Sequence, residues 1–276
     1  ATVSIIVAPV NDAPEIMNPG LQEGVEDSEL SIYGLSVSDV DADSTYEVEI
    51  VISASHGQLS LDTLINLEFS IGDGTLNPQM AFLGTISNIN VALNGLSFLG
   101  NSDFNGPDTI SLSINDLGNI GLGDTLQAET LIPINILPVN DVPQWTVGSD
   151  LTIDENDTLQ IVPNYATGID DGDPEVNQAL TFISTFVSDS LLFAELPTID
   201  ATGTLTFLAD EGAYGSSIVS FILLDDGGTD NGGVNQTASQ DFEITVLEIS
   251  AGCMASMACN FDPEAETDDG SCLYDD

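Results

Sequence analysis

The chain of 276 residues contains no lysine and no arginine, against 46 aspartates and glutamates and one histidine, a formal net charge of −46. Ordinary usage would place roughly 30 Lys plus Arg in a chain this long. The absence removes every side-chain salt bridge except one to a protonated His56. It also excludes partner classes. Nucleic acids and anionic membrane surfaces are gripped by Lys and Arg, so no nucleic-acid partner is expected. Trypsin-like proteases find no site. Long apolar runs are missing too: none approaches the ~18 residues of a spanning helix, so no direct membrane insertion is expected.

Catalytic equipment is equally sparse. The single His56 sits in SASHGQLSL, beside a glycine and ahead of a strand, where a turn role is expected rather than that of a base. No nucleophile elbow, Cys–His pair or His-rich metal site occurs. Paired carboxylates abound, but a glycosidase needs two of them across a cleft, and aromatic platforms for a sugar are scarce, with one tryptophan, Trp145. The Gly-rich DDGGTDNGG has no lysine for phosphate. The expectation is a protein that is not an enzyme. Cysteine is absent until the last 24 residues, which hold Cys253, Cys259 and Cys272. Such clustering predicts a small disulfide-stapled module in an oxidising compartment, with the odd count leaving one thiol over.

High charge with low hydrophobicity signals disorder, but this chain is 42% hydrophobic. Its apolar residues alternate in short runs: ELSIYGLSV, TYEVEIVIS, GQLSL, LEFSI, DTISLSI and TLIPINI, then LTID, TLQIV, ALTFISTFV, GTLTFL, SIVSFILL and DFEITVL. Alternation broken by Gly, Asp and Asn predicts antiparallel sheets with one buried face each. One stretch differs. In TISNINVALNG, Ile86, Ile89 and Leu93 have helical spacing, with Thr85 or Ser87 as N-cap and Gly95 as stop. The fold class expected is all-β: tandem antiparallel Greek-key β-sandwiches with a small disulfide-stapled tail.

A repeat divides the chain. PVNDAP at Pro9–Pro14 returns as PVNDVP at Pro138–Pro143, each after a strand-like run. Proline cannot extend a ladder, so each step reads as a joint between domains. The division expected is residues 1–7 as a terminal strand, 8–137 and 138–249 as sandwiches, and 250–276 as the tail. Thr2–Val7 looks like the last strand of a preceding domain. It is read as the end of a piece cut from a longer chain, or as a strand donated to a neighbouring subunit, head to tail.

The acids fall at the ends of these sandwiches. In the first, Glu26, Asp27 and Asp103 lie at one pole, and Asn11, Asp12, Asp39, Asp41, Asp43 and Asp116 at the other. In the second, Asp170, Asp171, Asp173, Asp225 and Asp226 lie at the pole facing the joint that carries Asn140 and Asp141. Calcium takes six to eight oxygens from such groups, whereas magnesium keeps its water. Turn preference explains any single Asp or Asn; the whole set at a joint argues for Ca²⁺. DVDAD is no EF-hand, since the required Gly and Glu do not follow.

PVNDAP after a strand, with DVDAD some 25 residues later, resembles the tandem cadherin-like repeats of giant bacterial surface adhesins. GDGTLNPQMAFLGTISNINVALNGLSF with FNGPDTISLSINDLGN is similar to one repeat type, and IDATGTLTF with LLDDGGTDNGGVNQTASQDFEITV to a second. The likeness covers most of residues 8–249. It implies interdomain Ca²⁺ held by Asn140, Asp141, Asp171 and Asp173, as in animal cadherins, with Glu26-Asp27 a departure from the usual upstream Glu motif. The tail is similar to a short Cys-containing repeat of secreted Bacteroidetes proteins, which implies a Cys253–Cys272 bridge with Cys259 inside it. That phylum's O-glycosylation signal matches at Ser44, Thr63, Thr109, Thr125, Thr158 and Ser190.

The function expected is a Ca²⁺-stiffened stalk or adhesin segment, extracellular or at the cell surface. Its expected partners are neighbouring repeats or subunits and an unspecified surface ligand or glycan. A carbohydrate-binding accessory module and an acidic matrix or surface-layer protein are the alternatives.

Overall fold

The structure is a computed structural model that describes residues 3–42, 45–118, 121–174 and 176–274. Two compact units divide the chain, Ala1–Val139 and Asn140–Asp276. The first contains β1 (Glu15–Met17), β2 (Gln22–Val25), β3 (Glu29–Ile32), β4 (Ser36–Ser38), β5 (Glu47–Ala54), β6 (Gly57–Ser60), β7 (Glu68–Ile71), β8 (Gln79–Thr85), helix α1 (Ile86–Leu93), β9 (Leu96–Gly100), β10 (Gly106–Asn115) and β11 (Gln127–Leu137).

One sheet of this unit has the order β2-β11-β10-β5-β8-β7 and the facing sheet the order β3-β9-β6. All described pairings within them are antiparallel except β2 with β11, which is parallel. Alternation sets the core. Ile110, Leu112 and Ile114 of β10 and Ile132, Ile134 and Ile136 of β11 point inward, against Ile32, Leu59, Leu96 and Phe98 of the other sheet. Each such side chain contributes about 1.5–3 kcal/mol on burial.

The helix forms where its spacing predicts. Thr85 caps it by accepting the Asn88 N–H, and Ile89, Ala92 and Leu93 are buried. It carries the chain from β8 in one sheet to β9 in the other. Asn90 ties it to β4, accepting the Val37 N–H and donating to the Val37 carbonyl, both at 2.8 Å.

The second unit repeats the plan with β12 (Gln144–Thr146), β13 (Leu151–Asp154), β14 (Gln160–Val162), β15 (Thr167–Asp170), β16 (Thr181–Val187), β17 (Phe193–Ile199), β18 (Leu205–Ala209), β19 (Gly215–Leu224) and β20 (Gln240–Leu247). Its sheets run β13-β20-β19-β16 and β14-β18-β17. Again the first long-sheet strand is parallel to the last of the unit. The core is aromatic: Phe182, Phe193, Phe207, Phe221 and Phe242 are all buried. Trp145 is buried with them and meets Phe182 edge-on at 5.0 Å. It is a packing residue, not a platform for sugars.

Two expectations change. ELSIYGLSV is not one strand: β3 and β4 are separated at Tyr33–Leu35, where Gly34 takes φ +83°. The break lets β3 pair with β9 and β4 with β1. In the second unit the same break falls around Asn164, at φ +56°. Strands β8 and β17 are absent from the alternating runs. In β8, QMAFLGT, three consecutive residues, Met80, Ala81 and Phe82, are buried, so the period of two is lost. In β17, Pro197 and two register shifts interrupt the pattern.

The tail adds β21 (Ala251–Gly252), parallel to β22 (Thr267–Asp268). Cys253 and Cys272 are bonded, and Cys259 is a free, exposed thiol. Cysteine 259 donates its backbone N–H to Leu273, and the rest of the tail is tied by Asx contacts such as Glu264 N–H to Asp262 at 2.9 Å. No helix among the described residues is long and apolar enough to cross a membrane.

Candidate calcium-binding poles

Each unit gathers oxygens where its strands end. At one pole of the first unit, Asn11 is 8% exposed and donates its amide to Asp116 Oδ2 at 2.6 Å and to the Asp124 carbonyl at 3.0 Å. Asp116 follows β10 directly and is 2% exposed; its Oδ1 accepts the N–H groups of Gly118 and Leu126. The Asp12 N–H donates to Asp41, and the Asp41 N–H to Asp39. A depression of about 430 Å³ lies beside them, lined by Asp12, Glu15 and Asp39 among others. Asp43 lies outside the described residues, as does Ser44.

At the opposite pole of the first unit, Glu26 is the organiser. It is 4% exposed. Its N–H donates to the Leu137 carbonyl, one carboxylate oxygen accepts the Val139 N–H, and the other accepts the Asn105 amide at 3.2 Å. Asp27 beside it accepts the Asp103 N–H at 3.2 Å. Asp27 and Asp103 both take positive φ, 55° and 58°, a conformation that Asp tolerates better than most residues. Glu26, Asp27 and Asp103 are therefore brought together, and Asn105 joins them.

In the second unit, Asn140 is the hub. Its amide donates to Asp225 Oδ1 at 3.0 Å and to the Val234 carbonyl at 3.1 Å. Its Oδ1 accepts the Gln178 amide at 2.6 Å. Gln178 also donates to Asp173 at 2.9 Å, and its backbone N–H to Asp171 at 2.7 Å. Asp226 accepts the Ala179 N–H. Gly227 must be glycine here, because a Cβ would fall 1.8 Å from Asn140 Oδ1. Asp170 is exposed and turned to its own loop, accepting from Gly172. Asp141 is half-buried.

Asn11–Asp116 and Asn140–Asp225 are the same contact made twice. In both units the Asn of the PVND step binds the acid that ends the penultimate strand. A hydrogen bond to a buried carboxylate is worth about 1.5–3 kcal/mol. The repeat in the sequence is thus explained first by structure: it locks the entry of the chain to the loop after β10 or β19. Asn105 lies in the same loop as Asp103, where the sequence places it, and Gln178 is the partner that sequence reasoning missed. The Gln178 amide carries no local signal, since its role depends on loops meeting.

Electrostatic balance is unusual. Asp225 is 6% exposed, and among the described residues its second oxygen, Oδ2, is buried with no hydrogen-bond partner; the same holds for Gln178 Oε1. A buried carboxylate ordinarily faces a cation or several N–H groups. With no Lys or Arg in the chain, only a bound cation can supply the opposite charge here. The candidate ligand atoms at the pole are carboxylate and amide oxygens, which suit a hard cation such as Ca²⁺ better than zinc, which favours nitrogen and sulfur.

Where the second unit meets its tail, half the pattern survives. Glu155 accepts the Ile249 N–H at 3.1 Å and donates to the Leu247 carbonyl, as Glu26 does with Val139 and Leu137. But Asn156 stands where Asp27 stands, and Ser250-Ala251 where Asn140-Asp141 stand. Ser250 instead binds the tail, accepting from Glu266 and donating to Glu264.

His56 has more partners than a simple turn residue. Its ring stacks on Phe104 at 4.7 Å, and both its backbone N–H and Nδ1 approach the buried Asp108, at 3.0 and 3.4 Å. Of the O-glycosylation matches, Thr125, Thr158 and Ser190 are exposed, whereas Thr63 and Thr109 are half-buried, Thr109 within β10.

A family model described as "Protein GAMETE EXPRESSED 2 domain" matches residues 34–120. No curated protein matches the sequence. Among solved structures, human protocadherin-24 EC1-2 (form II) is similar at 13% identity, covering 86% of this chain and 100% of that one, with a TM-score of 0.44. Mouse cadherin-23 EC22-24 is similar at 12% identity, over 86% and 67% of the two chains, with a TM-score of 0.41. The human desmocollin-1 ectodomain is similar at 14% identity, over 86% and 42%, with a TM-score of 0.34. The sandwich architecture itself rests on the strand order.

Proposed function

We propose that the chain is a non-enzymatic structural segment of an extracellular adhesin or filament, of the bacterial surface type its motifs resemble. Its joint is stiffened by Ca²⁺. The observation that carries this reading is the buried, half-unpartnered carboxylate of Asp225 in a chain with no basic side chain to oppose it. Chain continuity adds to it. Val139 is bound by Glu26 and Asn140 binds Asp225, and these two residues are consecutive. Each of these linker residues is thus bound within its own unit, one by Glu26 and one to Asp225. Glu26, Asp27 and Asp103 on one side and Asp141, Asp171, Asp173 and Asp225 on the other are the proposed ligands. Asn11, Asp12, Asp39, Asp41 and Asp116 would serve an equivalent joint at the first PVND step.

Bound Ca²⁺ would neutralise mutually repelling carboxylates and give several loops one shared ligand. A linear, load-bearing role follows from that, with neighbouring repeats as its first partners.

The test is a Ca²⁺ titration followed by thermal melting and small-angle scattering, with Mg²⁺ as control. The melting temperature should rise and the chain become more extended with Ca²⁺ and not with Mg²⁺. If chelation changes neither, the reading fails.

A further inference from the structure

The amides at the pole of the second unit have one consistent orientation. Asn140 faces the Asp225 carboxylate at 3.0 Å and the Val234 carbonyl at 3.1 Å. An ionised carboxylate and a carbonyl can only accept, so the Asn140 NH2 group points at them and its Oδ1 points away. That oxygen meets Gln178. Gln178 therefore turns its own NH2 group to Asn140 Oδ1, at 2.6 Å, and to Asp173 Oδ2, at 2.9 Å. Its carbonyl end is left over. Among the described residues, Gln178 Oε1 is buried with no hydrogen-bond partner.

This is an unfavourable way to place an amide, because a buried acceptor left unpaired forfeits at least what one ordinary hydrogen bond returns. Turning the group over would not repair it. Oε1 would then face two other oxygens, those of Asn140 and Asp173. What the side chain contributes is a pair of N–H groups set between two oxygens, in a chain with no Lys or Arg to put there.

The surrounding loops hold it in place. The Gln178 backbone N–H donates to Asp171 Oδ2 and the Ala179 N–H to Asp226 Oδ1, both at 2.7 Å. A Cβ on Gly227 would fall 2.6 Å from Gln178 Nε2, so the amide lies directly against the loop that carries Asp225 and Asp226.

Asp171, Asp173 and Asp225 are ligands in the calcium reading, and the inference rests on that reading. An N–H group aimed at a carboxylate oxygen presents positive charge to whatever else approaches that oxygen. The Gln178 amide and a cation are therefore rivals for Asp173.

We propose that the Gln178 side chain is an internal stand-in for the cation. It fastens Asp173 to Asn140 when no Ca²⁺ is bound, and it sets the calcium affinity of the second unit by competing for the same carboxylate. Its unpaired Oε1 makes it a weak competitor, so the pole is held together at low calcium without being closed to the ion. Apparent affinity falls by the fraction of molecules in which the competing tie is open. A hydrogen bond to a carboxylate makes that a factor of about ten.

Hydrogen exchange of the full chain, read peptide by peptide from chelator upward through a Ca²⁺ series, tests this. In the parent, exchange around Gln178 and Ala179 should slow with rising Ca²⁺ and give a midpoint. Gln178→Met keeps the length of the side chain and removes both N–H groups; Gln178→Ala removes the side chain beyond Cβ. In each variant these residues should exchange faster in chelator, because the tie is gone, and the midpoint should move to about tenfold lower Ca²⁺. Exchange in chelator that matches the parent overturns the proposal, as does an unmoved midpoint. A midpoint that moves to higher Ca²⁺ also overturns it and makes Gln178 Oε1 a ligand. A parent whose exchange ignores Ca²⁺ removes the calcium reading and this inference together, whereas a responsive parent with an unmoved variant removes the inference alone.

Discussion

Replacing Asp225 with asparagine should have opposite effects with and without calcium. The carboxylate accepts from Asn140 and Gly227 through Oδ1, both at 3.0 Å, and leaves Oδ2 buried without a partner among the described residues. An asparagine keeps the Oδ1 acceptor and removes the charge. Leaving a buried charged group uncompensated costs about 1–3 kcal/mol or more, so in chelator Asp225→Asn should stabilise the second unit by about that amount. For a unit of its size each kcal/mol moves the melting temperature by roughly 3–6 °C. With calcium at a hundred times its dissociation constant, the native chain gains about 2.7 kcal/mol by linkage, and the variant should lose most of that gain. Calorimetry of the full chain and the variant, each with chelator and with Ca²⁺, reads all four values. A variant that melts lower in chelator and gains as much from Ca²⁺ as the parent would refute the argument that Asp225 is an uncompensated charge awaiting a cation.

Three further outcomes follow from the fold. Burial, and then the nearby Asp150, push the Tyr165 hydroxyl well above its ordinary value, while it donates to the Ser149 carbonyl at 3.0 Å. A raised pKa gives stability that is complete below about pH 10 and lost as pH rises through the folded value; Tyr165→Phe should flatten that alkaline loss in a pH series of melts. Gly203 takes φ +83°, and a Cβ there would fall 2.1 Å from the Ala166 carbonyl, so Gly203→Ala should lower stability in a urea titration by about 1–3 kcal/mol. The Cys253–Cys272 bridge closes a separation of 19 residues. Its reduction should cost the tail about 3 kcal/mol and speed hydrogen exchange there, leaving the cores of both sandwiches protected.

Much of this is legible in the residues one at a time. Strands such as DTISLSI and TLIPINI alternate because each has one wet and one dry face, and they reappear as β10 and β11 with their isoleucines inward. The helix was legible because Ile86, Ile89 and Leu93 keep its period and Thr85 can cap it. Where both faces are covered the signal vanishes, as in β8, and with it the hairpin that closes one edge of the first unit. PVND was legible as a repeat but not as a contact. Only the fold brings Asn11 to Asp116 and Asn140 to Asp225, across more than 80 residues of chain in each unit.

Composition determined that no salt bridge with Lys or Arg could exist and that acids would stand without basic partners, and the local period of two determined that sheets rather than helices would bury the apolar residues. These are properties of counts and local periods. Tertiary structure decided which acids leave water. Glu26, Asp108, Asp116 and Asp225 are buried while chemically identical neighbours such as Asp27 and Asp226 are exposed. It also decided which edge stays open, β16 and not β5. Burial and edge coverage depend on what distant segments lie alongside, and a period of two along one strand carries no record of its neighbours.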